Sequence, residues 1–116
     1  MIKTIRNLIA ALLLIGASHG AMANYYQSGN KMLALCEGED NLDLAICLGY
    51  LQAVADTYKT AAEWEGFESV ICAPISVTGR QLQKVWVKYA NENPEKLHLS
   101  AASIVMHAYK DAFPCD

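Results

Sequence analysis

The chain has 116 residues and a formal net charge of −3, with 12 acidic against 9 basic side chains. That length allows one small domain, and the excess of acids excludes the basic surface with which proteins hold nucleic acid or an anionic membrane. Four cysteines are the other compositional mark, an even number suited to a disulfide framework in an oxidising compartment.

Residues Met1 to Ala23 read as a secretory signal peptide. Lys3 and Arg6 supply a basic start, Leu8 to Ala17 an almost wholly apolar run, and Ala21-Met22-Ala23 an A-x-A cleavage site. The apolar run is too short to cross the roughly 30 Å of bilayer hydrocarbon, and small residues follow it instead of basic ones. Cleavage after Ala23 is expected to leave a soluble periplasmic domain of 93 residues, unattached to the membrane, with a net charge of −5. A basic protein surface is the natural partner for such a charge. A core this small buries proportionally little surface, so covalent support is expected.

Ser28 is a candidate N-cap for a first helix running to about Glu37, with Met32, Leu33 and Leu35 as its apolar side chains. Glu37-Gly38-Glu39-Asp40-Asn41 breaks it. From about Asp43 a longer helix places Leu44, Cys47, Leu48, Leu51, Val54, Ala55 and Tyr58 on one face, and it fades after Ala62. Gly49 in this helix suits close approach of another helix, within the chain or across a dimer. The segment Glu63-Trp64-Glu65-Gly66-Phe67-Glu68 reads as a loop. A third helix starts with a capping box of Thr78 and Gln81 and a staple of Val77 and Leu82, buries Leu82, Val85, Trp86 and Tyr89, and ends at Asn91-Glu92-Asn93-Pro94. Ser100 is expected to cap a fourth, with Ile104, Val105, Ala108, Tyr109 and Ala112 facing the core and Phe113-Pro114-Cys115 closing the chain. The fold class is therefore all-α, a compact bundle of four main helices stapled by two disulfides.

Topology selects the pairing of Cys36, Cys47, Cys72 and Cys115. With the helices running alternately up and down, Cys36 and Cys47 share one end of the bundle and Cys72 and Cys115 the other. Any other pairing joins opposite ends of helix two, roughly 20 Å apart, whereas a disulfide typically spans about 4.4 to 6.8 Å between Cα atoms. Cys36 is thus expected with Cys47, and Cys72 with Cys115.

A catalytic set is hard to assemble. The exported part has two histidines, His98 and His107, nine residues apart and outside metal-ligand spacing. There is no Cys-x-x-Cys, no phosphate-binding glycine loop and no compact carboxylate pair. The reading is a non-enzymatic protein with neither metal nor cofactor. Binding features are easier to find. Trp64 and Phe67 among Glu63, Glu65 and Glu68 form an acidic, aromatic tip, suited either to anchoring a partner or to folding back as a satellite core. Asn91, Glu92 and Asn93 form a polar tip that is either a contact surface or an ordinary helix end, and His98 lies in the connection that follows.

Cys36, then Cys47-Leu48-Gly49-Tyr50-Leu51, Ile71-Cys72-Ala73-Pro74, Val77-Thr78 with Gln81-Leu82, Asn93-Pro94-Glu95-Lys96-Leu97-His98 and Ala112-Phe113-Pro114-Cys115 form an ordered series. That series resembles the Rap/Tai family of immunity proteins, which guard against peptidoglycan amidase effectors of type VI secretion systems, and it covers essentially the whole exported part. The resemblance implies a helical, often homodimeric periplasmic protein that binds its cognate amidase effector and blocks a papain-like Cys/His active site. On that reading Trp64, Glu65, Phe67, Glu68, Asn91, Glu92, Asn93 and His98 are the candidate effector contacts. Two readings of other classes are a periplasmic acid-stress chaperone, which would expose apolar surface at low pH, and a small-molecule carrier with an apolar cavity.

Overall fold

The computed structural model describes residues 26–116, so the expected signal peptide and the expected start at Asn24 lie outside the described residues. Four α-helices follow in order: α1 (Gly29–Glu37), α2 (Asn41–Glu65), α3 (Gly79–Glu92) and α4 (Ala101–Ala112), with a 3-10 turn at Pro94–Lys96 before α4. Among the described residues there is no multi-residue strand, only the isolated bridges Ser28 to Ser100 and Ile71 to Pro114. No described helix is long and apolar enough to cross a membrane.

Each of the four helices packs against the other three. The stripes expected from periodicity meet in one core of Met32, Leu51, Leu82, Trp86, Ile104, Val105 and Tyr109, all nearly or fully excluded from solvent. Burial of such large side chains contributes about 1.5 to 3 kcal/mol each, before chain ordering is counted. Both disulfides pair as the topology requires, Cys36 with Cys47 and Cys72 with Cys115, at Cα separations of 5.1 and 4.9 Å. Ala112 departs from expectation: it lies exposed on the last turn of α4.

The helix ends show three further corrections. Asp40 is the N-cap of α2, its carboxylate accepting from the Leu42 N–H at 2.7 Å, so the helix starts at Asn41 and not near Asp43. At the other end α2 does not fade after Ala62 but continues through Glu63, Trp64 and Glu65. It stops at Gly66, whose φ of 68° is the left-handed conformation that glycine adopts without penalty and whose N–H donates to the Ala62 carbonyl. Ser100 makes no side-chain cap. The segment is instead fixed by backbone pairing, the neighbouring Ala101 N–H donating to the Gln27 carbonyl at 2.7 Å beside the Ser28 to Ser100 bridge.

The capping box of α3 forms as expected: the Thr78 hydroxyl accepts from the Gln81 N–H and the Gln81 side chain accepts from the Thr78 N–H at 2.8 Å. Gly29 is buried where α1 meets the segment leading into α4. A Cβ there would stand 2.7 Å from Ile104 Cδ1 and 3.0 Å from the Leu97 backbone, so the close approach depends on glycine.

Candidate functional site

The start of α3 lies against Gln52 and Leu48 of α2, since a Cβ on Gly79 would meet both side chains. The 13 residues of α2 from Ala53 to Glu65 therefore extend about 20 Å beyond that contact. Past Gly66 the chain doubles back along this overhang. The Phe67 ring meets Tyr58 edge-on at 5.7 Å, and the Tyr58 hydroxyl accepts from the Val70 N–H at 3.0 Å. Ser69 closes a local turn onto Ile71, donating to its carbonyl at 2.8 Å. The returning segment is then tied to the last residues twice: by the antiparallel Ile71 to Pro114 bridge, in which the Cys72 N–H donates to the Phe113 carbonyl at 2.8 Å, and by the Cys72–Cys115 disulfide.

Between overhang and returning segment lies an open cleft of about 670 Å³. Its floor includes the buried Leu82 and Tyr109, its apolar walls include Phe67, Ile71, Ile75 and Val77, and Asp56, Lys59 and Glu63 line it from α2. Trp64 stands at the end of the overhang with 83% of its surface exposed, and Ile75 is fully exposed. Four of the eight exposed large hydrophobic side chains among the described residues, Trp64, Phe67, Val70 and Ile75, lie within this hook, a concentration expected of a binding surface and not of scattered surface apolars.

The structure brings Trp64, Glu65, Phe67 and Glu68 together and gives the two rings different environments. Phe67 folds back on Tyr58, as a satellite core would, while Trp64 points to solvent. Asn91, Glu92, Asn93 and His98 belong to the opposite end of α3, a helix of 14 residues and so about 21 Å long. Asn91 and Glu92 are the last helical residues there and not a loop tip. The Asn91 amide donates to the Glu37 carboxylate at 2.9 Å and to the Val87 carbonyl at 2.9 Å, joining α3 to the end of α1. Asn93 donates to the Tyr89 carbonyl and accepts from Lys96 Nζ, both at 2.9 Å. The two asparagines thus have structural partners, while Glu92 and His98 are exposed.

Charge is distributed unevenly. The hook carries Asp56, Glu63, Glu65 and Glu68 against Lys59, whereas Arg80, Lys84 and Lys88 line an exposed face of α3 at four-residue spacing. Burial raises the Tyr109 hydroxyl well above its usual range. Tyr50 is raised too, by burial, with a backbone hydrogen bond from Ala102 working the other way. Among the described residues no group of three or more His, Cys, Asp or Glu is placed to hold a metal ion.

Val70 and Ile75 are residues of the hook with no motif of their own in the sequence, and Ile71 enters only through the Ile71-Cys72-Ala73-Pro74 motif and not as a contact. The available signal was an apolar run around Cys72-Ala73-Pro74 that is too short for a helix.

A family model described as Rap1a immunity proteins matches residues 28–115 of the chain. The match runs from the Ser28 cap of α1 to Cys115 and so takes in all four helices and both disulfides. Comparison with curated proteins and with solved structures gave no match.

Proposed function

The chain belongs to the Rap1a immunity proteins, and from that membership we propose that it binds a peptidoglycan amidase effector of a type VI secretion system in the periplasm and stops cell-wall cleavage by covering the enzyme's active site. The family match across the whole described fold carries this reading. The two disulfides and the short, hydrogen-bonded connections add to it, because a surface already held in its bound shape loses less freedom on association. Inhibition by coverage needs complementarity and no chemistry from the inhibitor, so the role is non-enzymatic.

We assign the main effector contact to the hook, with Trp64 as the projecting anchor, Phe67 braced beside it and Glu65 and Glu68 facing a basic rim on the enzyme. Asn91, Glu92, Asn93 and His98, the length of α3 away, form a second contact region. A homodimer joins two copies through the outer face of α2, where Leu42, Ile46 and Gly49 follow one another at i, i+4 and i+7. Leu42 and Ile46 are exposed, and no atom within 4 Å would meet a Cβ on Gly49, so this glycine makes no close approach within its own chain.

The test is co-purification of the oxidised protein from Asn24 onward with papain-like peptidoglycan amidases, together with an assay of cell-wall cleavage. A stable complex with one amidase and arrested cleavage is expected. Absence of a complex with every candidate overturns the reading. Trp64→Ala is expected to weaken the complex by about tenfold or more, as loss of a central aromatic anchor does.

A further inference from the structure

We propose that the cleft between the α2 overhang and the returning segment seats a single large apolar side chain of the partner, presented on an extended stretch whose flanking residues are basic. The proposal rests on the immunity reading for the identity of the partner, but its chemistry comes from the cleft.

Three observations carry it. Size is the first: about 670 Å³ falls in the roughly 300 to 1,000 Å³ range of clefts that bury most of a drug-sized molecule, room for an aromatic side chain with its flanking backbone, and the lining is mainly carbon, with Gln52 and Ser69 among its polar side chains. Leu82 and Tyr109 are already part of the core, so an apolar side chain placed on them extends that core outward. The second is polarity. The Tyr58 hydroxyl accepts from the Val70 N–H and the Tyr109 hydroxyl donates to the Leu51 carbonyl, so the polar atoms of both rings already have partners inside the fold. An apolar occupant therefore leaves neither hydroxyl without a hydrogen bond. Charge is the third. Asp56 and Glu63 line the cleft with Lys59, Glu65 and Glu68 are exposed on either side of the Gly66 turn that follows, and the Arg80 guanidinium stands beside Gly79 of the lining. A segment with Lys or Arg on either side of its anchor meets four carboxylates against two cations, Lys59 and Arg80, a local excess of two negative charges. An acidic segment meets repulsion.

The wall bearing Ile71 and Ile75 is held by the Cys72–Cys115 bond and by hydrogen bonds at Ile71 and Cys72, so the cleft is shaped before a partner arrives. Association then costs little reordering of this wall.

The experiment uses the oxidised protein from Asn24 onward, labelled with nitrogen-15, and two end-blocked peptides, Lys-Lys-Phe-Lys-Lys and Glu-Glu-Phe-Glu-Glu. The basic peptide is expected to shift the amide signals of Ala73, Ile75 and Val77 saturably, with an affinity about tenfold above that of the acidic peptide at low salt and a smaller advantage at high salt. Ile75→Ser, at a fully exposed position, should lower that affinity while leaving the other amide signals in place. Equal shifts from both peptides, shifts confined to other surfaces, or none at all overturn the proposal. So do shifts at these amides that grow with protein concentration in the absence of peptide, which assign the cleft to a second copy. The amidase assay is scored separately: arrested cleavage without peptide shifts keeps the immunity reading and removes this one, and shifts without arrested cleavage do the reverse.

Discussion

The Tyr109 hydroxyl donates a 2.9 Å hydrogen bond to the main-chain carbonyl of Leu51, tying the last helix to the centre of the longest one inside the core. Both residues are almost wholly buried, and the ring also floors the cleft. Tyr109→Phe is expected to cost about 1 kcal/mol of stability, the typical net value of a hydrogen bond, as read from urea midpoints near pH 8.

The same burial makes the fold sensitive to alkali. Tyr109 and Tyr50 both hold their protons more tightly when folded than at the unfolded value of 10.0. Their neutral forms thus contribute stability that is complete below about pH 10 and is lost as the pH rises above it, where the unfolded state sheds protons that the folded state keeps. Urea midpoints should fall between pH 9 and 11, and Tyr109→Phe should flatten that fall. An unchanged slope in the variant removes Tyr109 as the cause.

The two disulfides should differ in resistance to reduction. Cys36 and Cys47 are 3% and 0% exposed, whereas Cys72 is exposed and Cys115 half-buried. Under limiting reductant, mass spectrometry after alkylation should find label first on Cys72 and Cys115. By loop entropy that loss removes about 4 kcal/mol, against about 3 for the shorter loop, a large part of a small domain's stability.

Two glycines give opposite outcomes when replaced by alanine. At Gly29 the new Cβ meets Ile104 and the Leu97 backbone, and destabilisation by about 1 to 3 kcal/mol is expected. At Gly49 it meets nothing within the chain, and a gain of up to about 1 kcal/mol is expected in the monomer. Sedimentation of Gly49→Ala and Ile46→Asp checks the proposed dimer, since both substitutions should shift the protein toward monomer if that face is shared.

Thr78→Ala should cost about 1 kcal/mol by removing half of the reciprocal cap at the start of α3. Thermal unfolding measures it, and Thr78→Ser should restore most of the loss.

Much of the fold was legible because its signals are local or topological. The Thr78 and Gln81 box, the inward stripes and the choice of disulfide partners each rest on spacing within one or two helices. The errors arose where apolar periodicity and backbone preference diverge. The stripe of α2 ends near Ala62, but nothing stops the helical backbone until Gly66, so apolar periodicity alone places in a loop a Trp64 that crowns a helix. Ser100 carries the chemistry of a cap but makes no side-chain cap bond, and the start of α4 is held by backbone pairing with Gln27, 74 positions before Ala101, a partner that no local pattern announces. The hook was half visible. Its aromatic tip stood out by composition, whereas the cleft exists only because Phe67 to Val77 runs back beside the helix that precedes it.

The pairing of both chain ends with distant segments makes assembly a closing operation. Gln27 and Ser28 meet Ser100 and Ala101, and Ile71 and Cys72 meet Phe113, Pro114 and Cys115. A chain that emerges amino end first closes the first seam only once Ala101 is out and the second only once Cys115 is. Without Cys115 the hook wall keeps its hydrogen bond to Phe113 but loses its covalent latch.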